Sequence, residues 1–148
     1  MVGHRYRLAA FVFMPEHVHW MIYPLAGADT IDAVLKAIKR PFSYWIKQLL
    51  IESRSRLLER LTIRQRPGVL TFRYWQEGPG YDRNLTRRSP ILAAIDYLHD
   101  NPVRRGLVET AVDWKWSSAW LSMCDPPKQY ASLPTVHRLP AEFLAGGD

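Results

Sequence analysis

Two apolar runs near the start of the chain, Arg5 to Phe13 and His17 to Tyr23, are separated by Met14-Pro15-Glu16. Both runs hold β-branched and aromatic residues, which favour strands. Pro15 cannot donate a ladder hydrogen bond, so the break between them reads as a turn or bulge. The pair predicts an antiparallel hairpin that closes at Pro24. Side chains alternate across a strand, so His17 and His19 fall on one face and Val18 on the other. A purely structural strand would carry Val or Ile at those places, because burying polar groups is costly. Two imidazoles side by side suit a divalent metal. They equally suit hydrogen-bonded strand residues, and the pair alone does not decide.

The 148 residues are enough for one domain with a core and too few for two comfortable ones. A single domain over 1–148 is therefore expected, with an irregular C-terminal tail over 121–148. Lys and Arg number 20 against 14 Asp and Glu, a net charge of +6. That balance favours a polyanionic partner, nucleic acid before membrane. The single cysteine, Cys124, rules out an internal disulfide and a cysteine-based zinc site, and fits a reducing cytoplasm. No run of 18 apolar residues occurs, so no membrane span is expected. The apolar stretch before Pro15 is too short for a signal peptide.

Thr30 is a candidate N-cap for a helix carrying Ile31, Val34, Leu35 and Ile38, with Pro41 expected to kink or interrupt it. The pattern resumes with Phe42, Trp45, Ile46, Leu49 and Leu50. Lys36, Lys39, Arg40 and Lys47 decorate this helix, either as a solvated face or as phosphate contacts. Glu52 to Gly68 is mostly basic, and Leu57, Leu58 and Leu61 suggest a second helical piece. Val69 to Gln76 reads as a strand, Gly78-Pro79-Gly80 as a turn, and Tyr81 to Leu85 as a further short strand.

Ser89-Pro90 opens the best-defined helix, with Ser as N-cap and Pro in first position. Its stripe is Ile91, Ile95 and Leu98, and Asn101-Pro102 is expected to end it. Tyr97 lies on the flank of that stripe, where its hydroxyl could reach a cleft. Asn101 is one turn on and shares its face if the last turn stays helical. The two could supply a nucleophile and a metal ligand, or be a half-buried tyrosine and an ordinary helix-ending amide. His99 faces away from Tyr97 and reads as structural. Trp114, Trp116 and Trp120 read as core packing.

The blocks Pro15-Glu16-His17-Val18-His19, Tyr74-Trp75-Gln76, Tyr81-Asp82-Arg83-Asn84, Asp96 through Val108, and Asp113-Trp114-Lys115-Trp116-Ser117-Ser118 occur in one order. That series resembles the REP-associated tyrosine transposases, a branch of the single-tyrosine HUH transposases of bacteria. It runs from about Tyr6 to about Trp120. The Met-Pro-x-His-Val-His and Asp-Tyr-x-His-x-Asn-Pro-Val-Arg-x-Gly-Leu-Val blocks are specific.

The resemblance implies roles residue by residue. His17 and His19 would bind a divalent metal, Tyr97 would be the catalytic tyrosine, and Asn101 would be the third metal ligand. It implies an α+β fold with a ferredoxin-like antiparallel sheet and helices on one face. Mg²⁺ or Mn²⁺ would polarise the scissile phosphate, and Mn²⁺ suits imidazole better. Tyr97 would form a 5′-phosphotyrosine and release a 3′-hydroxyl, conserving bond energy for strand transfer. The implied partner is single-stranded DNA with hairpin (REP-like) elements. Lys36, Lys39, Arg40, Arg83, Arg87, Arg88, Arg104 and Arg105 are candidates for phosphate contact, and Tyr74 and Trp75 for base stacking. The implied setting is a bacterial cytoplasm, in association with the nucleoid.

The family has a strand and helix before the strand that corresponds to Arg5–Phe13, and the chain is expected to lack them. A misassigned start codon, a decayed gene fragment, or completion of the sheet by a partner chain in a homodimer would each account for that. Two other functions compete. One is an inactive hairpin-DNA binding protein or truncated relic. The other is a metal-dependent hydrolase with water as nucleophile, which would not need Tyr97.

Overall fold

The computed structural model describes residues 5–76, 83–125, 127 and 130–145. The fold is α+β, with two two-stranded antiparallel sheets among the described residues. The chain divides into two compact units, Met1–Ala28 with Asn84–Asp148, and Asp29–Arg83.

In the first unit, β1 (Tyr6–Phe13) pairs antiparallel with β2 (Val18–Pro24), as the two apolar runs predict. Met14 N donates to His17 O at 2.8 Å and closes the turn around Pro15 and Glu16. Strand alternation puts Ala10, Val12 and Met14 on one side. There they form a core with Leu98 of helix α3 (Arg88–Arg104), against which Met21, Ile95 and Trp114 pack. The second edge of β1 is also occupied. Val12 bridges Ser117, Phe13 N donates to Trp116 O at 2.8 Å, and Ser118 N donates to Phe11 O at 2.9 Å. Further along the strand, His137 N donates to Leu8 O at 2.7 Å.

The segment after α3 carries a 3₁₀ turn (Ala111–Asp113), α4 (Ala119–Met123) and α5 (Ala141–Ala145). Trp120 is buried and Trp114 is tied down by a bond from its indole to Phe13 O at 2.9 Å. Trp116 corrects the expectation of core packing: it is exposed, with the Lys115 ammonium 5.0 Å from its ring centroid, and its carbonyl accepts from Phe13 N.

Helix α3 departs from expectation at both ends. It starts at Arg88 with Arg87 as cap and no side-chain capping bond, rather than with Ser89 as cap. It also runs through Pro102 to Arg104. The stop is Gly106, at φ +67°. Gly106 N bonds Val103 O and Leu107 N bonds Pro102 O, the paired bonds of a Schellman ending. These satisfy the terminal carbonyls and outweigh the preference that proline imposes on the residue before it.

In the second unit, α1 (Ile31–Glu52) starts at Thr30, whose Oγ1 accepts from Ala33 N at 3.4 Å. The helix continues through Pro41 instead of being interrupted there. Side chains add donors beside the proline: Ser43 Oγ and Trp75 Nε1 both donate to Lys39 O, at 2.8 and 3.1 Å. The helical piece expected after Glu52 is a single turn, α2 (Leu57–Arg60). It leads into a hairpin of β3 (Thr62–Arg66) and β4 (Val69–Phe72). The hairpin turn is Pro67-Gly68, with Gly68 at φ +76°, where glycine carries no Cβ penalty. The strand expected to reach Gln76 therefore ends at Phe72. The expected turn at Gly78-Pro79-Gly80, and Tyr81 and Asp82 of the expected short strand, lie outside the described residues. Arg83 to Leu85 have no regular structure.

Candidate active site

The histidine pair stands at the start of β2, and the turn that precedes it fixes its direction. The His17 and His19 rings are 4.7 Å apart between centroids, edge to face. This is the same-face placement that a residue spacing of two dictates. Helix α3 lies against the hairpin and brings Tyr97 to the pair. The His19 and Tyr97 rings are 6.1 Å apart, again edge to face. Residues 78 positions apart in sequence thus meet. Tyr97 remains half exposed, at 50%, so its hydroxyl is open to an incoming group.

Asn101 follows Tyr97 by one turn and stays helical, because the helix ends only at Gly106. The two therefore share a helix flank, but they differ in burial. Asn101 is buried at 6% exposure. Among the described residues, no group of three His, Cys, Asp or Glu side chains is gathered in a way that could hold a metal. A cation at the histidine pair would need a third donor of another type, and an amide is one. Two neutral imidazoles and an amide are chemically suited to Mn²⁺ or Mg²⁺.

The electrostatics keep His19 available. Burial, and then the neighbouring His17, lower the pKa of His19 below its ordinary value. The neutral ring, which is the form that can ligate, is favoured. Beside Tyr97 the Arg104 guanidinium lies 5.1 Å from the ring centroid. His99, two residues further along the helix, points into the core as expected. It is buried, and its Nε2 lies 2.7 Å from Ser118 Oγ.

The candidate DNA contacts are dispersed. Arg87, Arg88 and Arg83 are exposed. Arg105 is engaged: its Nη2 is 2.5 Å from Glu16 Oε1. In the second unit, Lys36 and Arg40 are exposed and, one turn apart, share a face of α1. Lys39 faces another way, with its ammonium 5.9 Å from the Trp75 centroid. Tyr74, Trp75 and Phe42 form a mutual aromatic cluster with centroids 5.2–5.3 Å apart. Trp75 is further held by its bond to Lys39 O, so these rings are partly committed to packing. The residue that sequence reasoning passes over is Glu16. It lies within the Met-Pro-x-His-Val-His block, and its signal is a carboxylate directly before the first histidine.

No known protein-family profile matches the chain, and no solved structure matches it either. A Haemophilus influenzae protein named as a REP-associated tyrosine transposase is 26% identical over 113 residues. The match covers 76% of this chain and 58% of that protein, so the chain spans little more than half of the relative's length. The chain is thus similar, over three quarters of its length, to a protein that carries that name.

Proposed function

We propose that the chain is a metal-dependent single-tyrosine DNA endonuclease and strand transferase acting on single-stranded hairpins. The observation that carries this reading is the meeting of the His17–His19 pair with Tyr97 across the hairpin and α3. A cation bound there would neutralise the scissile phosphate and orient it for in-line attack. His17 and His19 would hold it through their lone pairs, with Asn101 as the third donor. Tyr97 Oη attacks phosphorus, the bond to the 3′ oxygen breaks, and a 5′-phosphotyrosine forms beside a free 3′-hydroxyl. Arg104 places a positive charge beside the Tyr97 ring, where it would favour the negative charge that develops during attack. The 5′-phosphotyrosine bond retains the energy for rejoining to a second 3′-hydroxyl.

The relative is named as a transposase, which supports a DNA partner, and the net charge of +6 fits a polyanion. Among the described residues no helix is long and apolar enough to cross a membrane. A cytoplasmic, nucleoid-associated setting fits that partner. What the reading requires of the fold is an antiparallel hairpin that carries the histidines and a helix packed on it that carries the tyrosine, and β1–β2 with α3 supports it.

The test is a covalent-adduct assay with Mn²⁺ or Mg²⁺ and labelled single-stranded hairpins from the DNA flanking the gene. Wild type should give a shifted band on a denaturing gel. Tyr97→Phe and His17→Ala should give none while keeping the wild-type melting temperature, since both side chains are partly exposed. No band with wild type, alongside native binding of the hairpin, would replace this reading with a binding protein that lacks turnover. Cleavage without an adduct, surviving Tyr97→Phe, would replace it with a hydrolase using water.

A further inference from the structure

Glu16 stands in the turn between β1 and β2, and one of its oxygens serves two neighbours. Oε1 lies 2.5 Å from Arg105 Nη2 and 3.5 Å from His17 Nδ1. Arg105 caps the C-terminal end of α3, the helix that carries Tyr97. One carboxylate therefore touches both the histidine turn and the tyrosine helix. The side chains are half exposed, at 57% for Arg105, 47% for Glu16 and 34% for His17. Pairs this wet add little to stability. Orientation is a different matter. A neutral imidazole carries its proton on either nitrogen, and an adjacent carboxylate favours the nitrogen that faces it.

We propose that Glu16 is a positioning residue for His17. Anchored by Arg105, its carboxylate keeps the imidazole proton on Nδ1 and leaves the Nε2 lone pair free for a cation. Arg105 then acts through Glu16 rather than as a contact to DNA phosphate. The metal part of this proposal rests on the reading of His17 as a ligand; the tautomer part stands without it. A carboxylate behind a ligating histidine fixes its ring and raises its basicity, and removing such a partner commonly weakens metal binding about 10–100-fold.

The experiment uses the full chain, ¹⁵N-labelled, metal-free and at a pH where the imidazoles are neutral. Long-range ¹H–¹⁵N correlation spectra read the tautomer of each histidine. Wild-type His17 should show the Nδ1–H pattern. Glu16→Ala should return it to the mixture of a free imidazole, and Arg105→Leu should do so in part, while Arg105→Lys keeps the wild-type pattern. The double exchange Glu16→Arg with Arg105→Glu rebuilds the ion pair but sets a cation beside Nδ1. It should keep the melting temperature and lose the tautomer, which a merely structural clasp would not do. Mn²⁺ titration of the same samples by electron paramagnetic resonance should show binding about tenfold weaker in Glu16→Ala. An Nε2–H pattern in wild type, or an Nδ1–H pattern that survives Glu16→Ala, overturns the proposal. If the tautomer responds but wild type binds no Mn²⁺, the positioning of the ring stands and the metal reading fails.

Discussion

The two units of the chain solve different problems. The first, holding the β1–β2 hairpin, α3 and the C-terminal segments, buries Phe11, Val12, Ile91, Leu98 and Trp120 among others. In the second, Val34 and Leu50 are the buried hydrophobics among the described residues. Tyr44, Trp45 and Leu49 of its long helix stand in solvent at 63%, 71% and 58% exposure. The difference teaches where this chain can hold a reacting geometry. A nucleophile and its metal ligands must be fixed to fractions of an ångström by packed neighbours. The histidine pair and Tyr97 lie where such packing exists. A basic, loosely covered helix suits contacts that tolerate variation, such as those to a phosphate backbone.

That contrast can be broken first by volume. Trp120→Ala empties a site 2% exposed and should cost about 3–5 kcal/mol, read as a large drop in melting temperature. The loss should carry the site with it, since the segment around Trp120 pairs with β1. The next test is pH. Burial lowers the pKa of His99, with Asp96 opposing weakly. The folded state therefore favours the neutral ring. Its contribution is fully present above the ordinary value of about 6.5 and is lost as pH falls through the depressed one. Denaturation curves of wild type should weaken across that window, and His99→Gln should flatten the dependence. A third test sharpens the picture of α3. Gly106→Ala meets no atom within 4 Å but must hold φ +67°, so it should cost about 1 kcal/mol. The smallest effect belongs to the second unit: Trp45→Ala should change stability by no more than about 0.5 kcal/mol. A large loss there would mean that α1 is not the loosely covered element described.

The hairpin is readable in the sequence because its alternation is clean and Pro15 marks the break. The meeting of His19 with Tyr97 is not readable from residue spacing; only the family resemblance implies it, since a contact across 78 residues leaves no local trace. The strand Thr62–Arg66 is hidden because Arg64 and Arg66 mask a short alternating pattern, although Pro67-Gly68 is a hairpin signal. The ends of α3 escape for a related reason. Proline and serine preferences are local, whereas the observed stop is set by two hydrogen bonds around Gly106. Glu16 draws no notice because a carboxylate in a turn is ordinary until its neighbours in space are known.

One serine carries a consequence that reaches beyond this molecule. Ser118 Oγ accepts from Phe11 N at 2.9 Å, lies 3.3 Å from Phe11 O, and meets His99 Nε2 at 2.7 Å. It does so at 2% exposure. Alanine would strand the polar groups it serves. A copy of the gene with His17, His19 and Tyr97 intact can therefore still encode a weakened fold, if the change it carries falls at position 118.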